Sequence, residues 1–193
     1  MLFDLGWAPL IANRILRLVT WAGLVILPVS AQAQQPTQTT ETYDNWVYRC
    51  SQITTAAAQQ GNSEQAASPQ KRCEVTQVLQ DNNGSVIAQI AIGKSAETEG
   101  NLVLVMQVPQ GTLLSEPVRM GNETLSTSVD AAYFTCLQSV CLARAETTSK
   151  PLNDLAKLDN AKLQFADRSG RNIQVLFSFK GLAPALKRMD EDS

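Results

Sequence analysis

The chain has 193 residues, 16 basic and 18 acidic side chains for a net charge of −2, and 44% apolar residues. That length suits one domain, and so mild a charge supplies no basic stripe for a nucleic-acid partner. Histidine is absent, which removes the commonest general base and the commonest metal ligand.

In chain order, residues 1–33 read as a secretory signal peptide. Arg14 and Arg17 supply the positive charge, Leu18–Val29 an apolar stretch, and Ala31-Gln32-Ala33 a small-x-small cleavage site near Ala33. The apolar stretch is shorter than the roughly 20 residues of a membrane span. No cysteine follows it at a lipoprotein position. The expected location is the periplasm, the outer membrane or the exterior. Residues 34–42, rich in Gln and Thr, are expected to be a flexible linker. A single domain is expected over 43–189, and residues 190–193 are expected to be a frayed acidic tail.

Ordered structure is expected to open at Asp44–Cys50, a strand with Trp46, Tyr48 and Cys50 on one face. Ser51–Arg72 has little to bury and reads as a loop, with a helical turn at Thr54–Gln60. Cys73–Leu79 alternates as a strand, and Asp81-Asn82-Asn83-Gly84 is a turn signal. Val86–Ile92 and Leu102–Val108 are nearly continuous apolar runs, expected as strands covered on both faces. Pro117 breaks Thr112–Met120 and is expected to place it at an edge or bulge. Ala131–Cys136 and Val140–Ala145 form one hairpin; Lys162–Ala166 and Asn172–Phe179 form another, turned by Asp167–Gly170. Ile173, Val175, Phe177 and Phe179 would face inward. Pro151–Leu158, capped by Ser149, and Leu182–Met189 are the helix candidates. About eight short strands between turn signals read as an all-β, antiparallel β-sandwich with one or two short helices.

The chain's four cysteines form an even set in an exported protein, and four allow three pairings. Spacing favours Cys50–Cys73 and Cys136–Cys141, which loop entropy values at about 3 and about 2 kcal/mol. Cys136-x4-Cys141 is not the Cys-x-x-Cys of a thiol oxidoreductase. A zinc site would need all four thiolates. Disulfides are therefore expected, with no metal and no cofactor.

No catalytic constellation is found. Gly93-Lys94-Ser95 lacks the earlier glycine of a phosphate loop, since position 88 is Ala88. Without histidine, only a serine–lysine arrangement would activate a hydroxyl. Ser178 and Lys180 are read as facing apart and not as a dyad. Glu97, Glu99 and Asp130 show no paired spacing. Asn122-Glu123-Thr124 reads as an unmodified turn, Trp46 and Tyr48 as core, and Arg119, Lys94 and Lys180 as exposed charges.

The chain resembles the invasion-associated locus B family of exported bacterial proteins. The resemblance rests on an ordered set: Trp46 before Cys50, Cys73-Glu74-Val75, Ile92-Gly93, Val108-Pro109-x-Gly111 and Phe134-x-Cys136-x4-Cys141. Leu152 to Leu158 and Phe179-Lys180-Gly181-Leu182-x-x-Ala185-Leu186 complete it. It implies an immunoglobulin-like β-sandwich exported to the periplasm or outer membrane. The family takes its name from host-cell invasion but is widespread in bacteria that invade nothing, so that role is not carried over. No catalytic residue is transferred. Ser51–Arg72 departs from the family in being long and low in complexity.

The expected function is that of an exported, disulfide-stapled, non-enzymatic envelope protein. It would bind an envelope or extracellular macromolecule through loops or a sheet edge, and peripheral membrane association fits the same reading. The alternative is a periplasmic small-ligand carrier, with Val86–Ile92 and Leu102–Val108 lining an apolar cavity between sheets.

Overall fold

A computed structural model describes residues 38–53 and 70–192. The segment read as a signal peptide with cleavage near Ala33, residues 34–37 of the expected linker, the helical turn expected at 54–60 and Ser193 lie outside the described residues. Everything described falls in one unit, Pro36–Ser193.

Ten strands and two helices make up the described residues. They are β1 (Gln38–Tyr43), β2 (Trp46–Ile53), β3 (Gln70–Gln80), β4 (Val86–Lys94), β5 (Leu102–Pro109) and β6 (Val118–Gly121). β7 (Ser128–Cys136), β8 (Val140–Thr147), α1 (Ser149–Leu155), β9 (Asn160–Ala166), β10 (Asn172–Ser178) and α2 (Leu182–Glu191) follow. Their order in the sheet is β1-β2-β3-β4-β5-β8-β7-β6-β9-β10. Every pairing is antiparallel. The chain runs as a meander to β5, leaves through residues 110–117 and returns so that β8 lies beside β5, a Greek-key step.

The all-β antiparallel class with two short helices is as the sequence indicates. The two-sheet, immunoglobulin-like arrangement gives way to one continuous ladder curled into a half-barrel. β7 is the reason. Ser128–Ala131 pairs with β6, whereas Ala132–Cys136 pairs with β8. One strand thus carries hydrogen bonds across what would be the gap between sheets. The curl brings Trp46 and Tyr48 of β2 into one apolar cluster with Leu163 of β9 and Met120 of β6. Burying each such side chain contributes about 1.5–3 kcal/mol.

The strands fall where expected, but β4 and β5 are fully covered on one face only. On β4 and β5, Ala88, Ile90, Ile92, Leu102, Leu104, Met106 and Val108 are buried, and the residues between them are half-buried. These apolar runs therefore fill the core. Asp81 organises the β3–β4 turn: its Oδ1 accepts from the backbone N–H of Asn83 (2.8 Å) and Ser85 (2.9 Å).

Several boundaries differ. Residues 38–42, read as linker, belong to β1, which pairs with β2 along its whole length. Its polar sequence hides it because an edge strand buries little. Pro117 does not put its segment at an edge: β6 begins one residue later, and lies between β7 and β9. Thr148, not Ser149, is the N-cap of α1, and without a side-chain hydrogen bond. The helix buries Leu152 and Leu155 and ends before Leu158, which is exposed.

Helix α2 covers β1, β2 and β3. It buries Leu182, Ala185, Leu186 and Met189, the i, i+3, i+4, i+7 stripe of an amphipathic helix. Gly181 opens it with φ +93°, and a Cβ there would lie 1.9 Å from the carbonyl oxygen of Tyr43. The β1–β2 turn thus sits directly on the helix entrance.

Candidate functional site

The four cysteines pair as Cys50–Cys73 and Cys136–Cys141. Both bonds join residues directly opposite each other in the ladder, Cys50 with Cys73 on β2–β3 and Cys136 with Cys141 on β7–β8. Cross-strand positions approach closely enough for a disulfide to span them.

Around the first bond is a polar cluster that ties β1, β2 and β3 to the end of α2. The Tyr48 hydroxyl donates to Asp192 Oδ2 and lies against the Cys50 and Cys73 sulfurs. Lys71 Nζ is 2.9 Å from Asp192 Oδ1, and an Arg188 guanidinium nitrogen is 2.9 Å from Asp192 Oδ2. Arg188 Nε also donates to Glu41 Oε1 at 3.0 Å, and the Tyr43 hydroxyl donates to Glu41 Oε2 at 2.6 Å. The tail read as frayed and acidic is therefore engaged. Helix α2 runs to Glu191, Asp192 closes the cluster, and Asp190 pairs with Lys94 at 3.3 Å.

The charges respond accordingly. The Tyr48 hydrogen bond, then that of Lys71, holds Asp192 well below the usual carboxylate range. The Tyr43 and Arg188 hydrogen bonds lower Glu41. Burial, then the bond to Asp192, pushes Tyr48 up. The Cys50 and Cys73 sulfurs and an Asp192 oxygen lie within 4.8 Å of one another. Bonded to each other, these sulfurs are not thiolate ligands, and two cations already hold the carboxylate.

The other singled-out residues are dispersed. Ser178 and Lys180 stand two apart, a spacing that shares a face on a strand, so alternation does not separate them. The strand ends at Ser178, whose Oγ accepts the Lys180 backbone N–H at 3.0 Å, while Lys180 Nζ reaches Asp44 at 3.1 Å. Arg119 pairs with Asp130 at 3.2 Å, and Glu97 with Arg144 at 3.6 Å. Ser95 Oγ accepts from the backbone N–H of Glu97 (3.2 Å) and Thr98 (3.1 Å), a tight turn leading into β5. Asn122 Oδ1 accepts from Thr127 N–H at 3.2 Å in an exposed turn. Trp46 and Tyr48 are fully buried.

Two surface features escape a reading by residue type. The first is β10, an outermost strand of the ladder, on which Leu176 is 71% exposed. The second is the tip of the β7–β8 hairpin. Register shifts between Tyr133 and Thr135, so Phe134 is the extra residue of a bulge and is 57% exposed. Leu137, at the turn, is 58% exposed.

The crystal structure of invasion associated protein B from Bartonella henselae superposes on this chain with a TM-score of 0.62 at 20% identity. The match covers 79% of this chain and 95% of that one. At such identity the likeness is one of fold. Nothing among curated proteins matches. The fold and its two cross-strand staples define a class: disulfide-stapled, all-β antiparallel proteins. The family model for invasion associated locus B (IalB) protein matches residues 46–190. The chain belongs to that family.

Proposed function

We propose that this protein is an exported, non-enzymatic scaffold of the cell envelope that binds another polypeptide by strand addition along β10. The observation that carries the reading is the nature of that edge. Natural edge strands are blunted by charge, proline or cover. The opposite edge, β1, carries Glu41 and lies under α2. β10 has the sequence Asn-Ile-Gln-Val-Leu-Phe-Ser, with neither proline nor charge, and Leu176 points out from it. An uncharged strand with one open edge offers main-chain hydrogen bonds for affinity and an apolar side chain for selection. The staples and the filled core support a rigid display, and family membership supports export.

The test is a pull-down from the native envelope fraction, with crosslinking, comparing wild type with Leu176→Lys and Gln174→Pro. A partner captured by wild type and lost from both variants supports the reading. A partner retained by both, or no partner under native expression, removes it.

A further inference from the structure

We infer that the stapled β7–β8 tip is a lipid-contact point, with Phe134 and Leu137 entering the apolar layer of a bilayer with neutral headgroups. The inference concerns a different surface from β10 and does not depend on a polypeptide partner.

Four observations converge on this tip. Residues Phe134, Thr135, Cys136, Leu137, Gln138 and Ser139 are all exposed, an unbroken run in which two large apolar side chains stand in solvent. The bulge at Phe134 re-aims an aromatic that strict alternation would have placed otherwise. The hairpin has no charge from Ala131 to Ala143; Asp130 and Arg144 are the first on either side. Its neighbours at the same end share that character: Pro109, Val86 and Val140 line one groove beside it.

The occupant follows from charge and hydrogen bonding. With no cation at the tip and a net negative chain, the match is to an uncharged apolar medium and not to anionic headgroups. Backbone groups entering lipid must already be paired. At the flanks of the tip this holds: Leu137 N–H donates to Val140 O (2.7 Å), Gln110 N–H donates to Ser139 O (3.0 Å), and Cys136 and Cys141 are ladder partners, so only the apex at Gln138 stays at the headgroup level. The disulfide fixes the loop backbone beforehand, so insertion has only side chains left to order. Two side chains give reversible adhesion, not a stable anchor.

The test is vesicle flotation of the chain purified from the periplasm of an expressing bacterium. Phosphatidylcholine vesicles are compared with vesicles enriched in phosphatidylglycerol. The expected result is flotation with phosphatidylcholine that is insensitive to salt and falls about tenfold or more in Phe134→Ser/Leu137→Ser. A second readout survives any folding defect in that variant. Phe134→Trp adds a reporter to a chain whose tryptophan beyond residue 33 is the buried Trp46. Its emission should shift to the blue with phosphatidylcholine and be quenched by brominated lipid. Three results overturn the inference: no flotation and no shift, equal flotation of the double variant, or salt-reversible flotation with phosphatidylglycerol alone. Self-association lost in the double variant, without flotation, would assign the tip to a second copy of the chain instead.

Discussion

Arg188 lies over the ring of Tyr48, with its guanidinium carbon 5.1 Å from the ring centroid. The two residues are far apart in sequence, and their contact fixes the last turn of α2 to β2. The same guanidinium reaches Glu41 on β1 and Asp192 at the helix end. Its planar fork suits this double engagement, and a lysine's point charge does not. Arg188→Lys should therefore behave nearly as Arg188→Ala. Hydrogen exchange should show faster exchange of α2 amides in both, with β4 and β5 unchanged. Full retention of α2 protection in Arg188→Lys would show that charge alone suffices. Tyr48→Phe, which removes a buried hydroxyl, should cost about 1 kcal/mol in urea unfolding.

The cluster also sets an acid limit. Asp192 and Glu41 both have folded-state values below their unfolded ones. A depressed carboxylate contributes stability fully above its unfolded value, about 3.9–4.3, and loses it as pH falls toward the folded value. Urea midpoints should be flat from pH 8 to about 5 and decline below about 4. Asp192→Asn should lower the plateau and flatten that decline. An unchanged acid slope in Asp192→Asn would exclude this carboxylate as its source.

Gly181 should tolerate no side chain. A Cβ would meet the Tyr43 carbonyl carbon at 2.6 Å as well as its oxygen, and the backbone has positive φ. Gly170 has φ +80° with nothing within 4 Å of its would-be Cβ. Gly170→Ala should cost about 1 kcal/mol, the ordinary penalty of that conformation. Gly181→Ala should cost more than about 4 kcal/mol or prevent folding, since the clash is with backbone that cannot rotate away. Thermal melts of the two variants side by side decide it. Equal costs would mean that the β1–β2 turn shifts freely off the helix entrance.

The two disulfides should differ in worth. Cys50–Cys73 closes a separation of 23 residues and Cys136–Cys141 one of 5. Chain entropy puts their losses at about 3 and about 2 kcal/mol. Replacing each pair by serine and measuring urea unfolding should give that order. The Cys50 variant should also loosen α2, because Tyr48 packs against those sulfurs. The Cys136 variant should leave α2 untouched and relax the tip.

What the sequence reveals and conceals has physical causes. Trp46, Tyr48 and Cys50 announce themselves by alternation, and Leu182, Ala185, Leu186 and Met189 by helical spacing, because each pattern is local. The cysteine pairs are legible for the same reason, being near neighbours across hairpins. β1 is not, since Gln-Thr-Thr-Glu-Thr-Tyr carries no apolar pattern and is ordered by pairing with β2. The single ladder is not, because the division of β7 between β8 and β6 is a tertiary choice. The role of Asp192 is hidden because its partners Tyr48 and Lys71 are more than a hundred residues away in the chain. Phe134 is hidden because a bulge is a register event that residue type does not signal.

The Cys50–Cys73 bond encloses residues 54–69 between two strands already paired to each other. A protease that cuts anywhere in that interval severs the chain without dividing the molecule. On a denaturing gel the nicked protein would run as one species without reductant and as two fragments with it. Whatever happens to the chain between them, β2 and β3 stay covalently joined through this one bond.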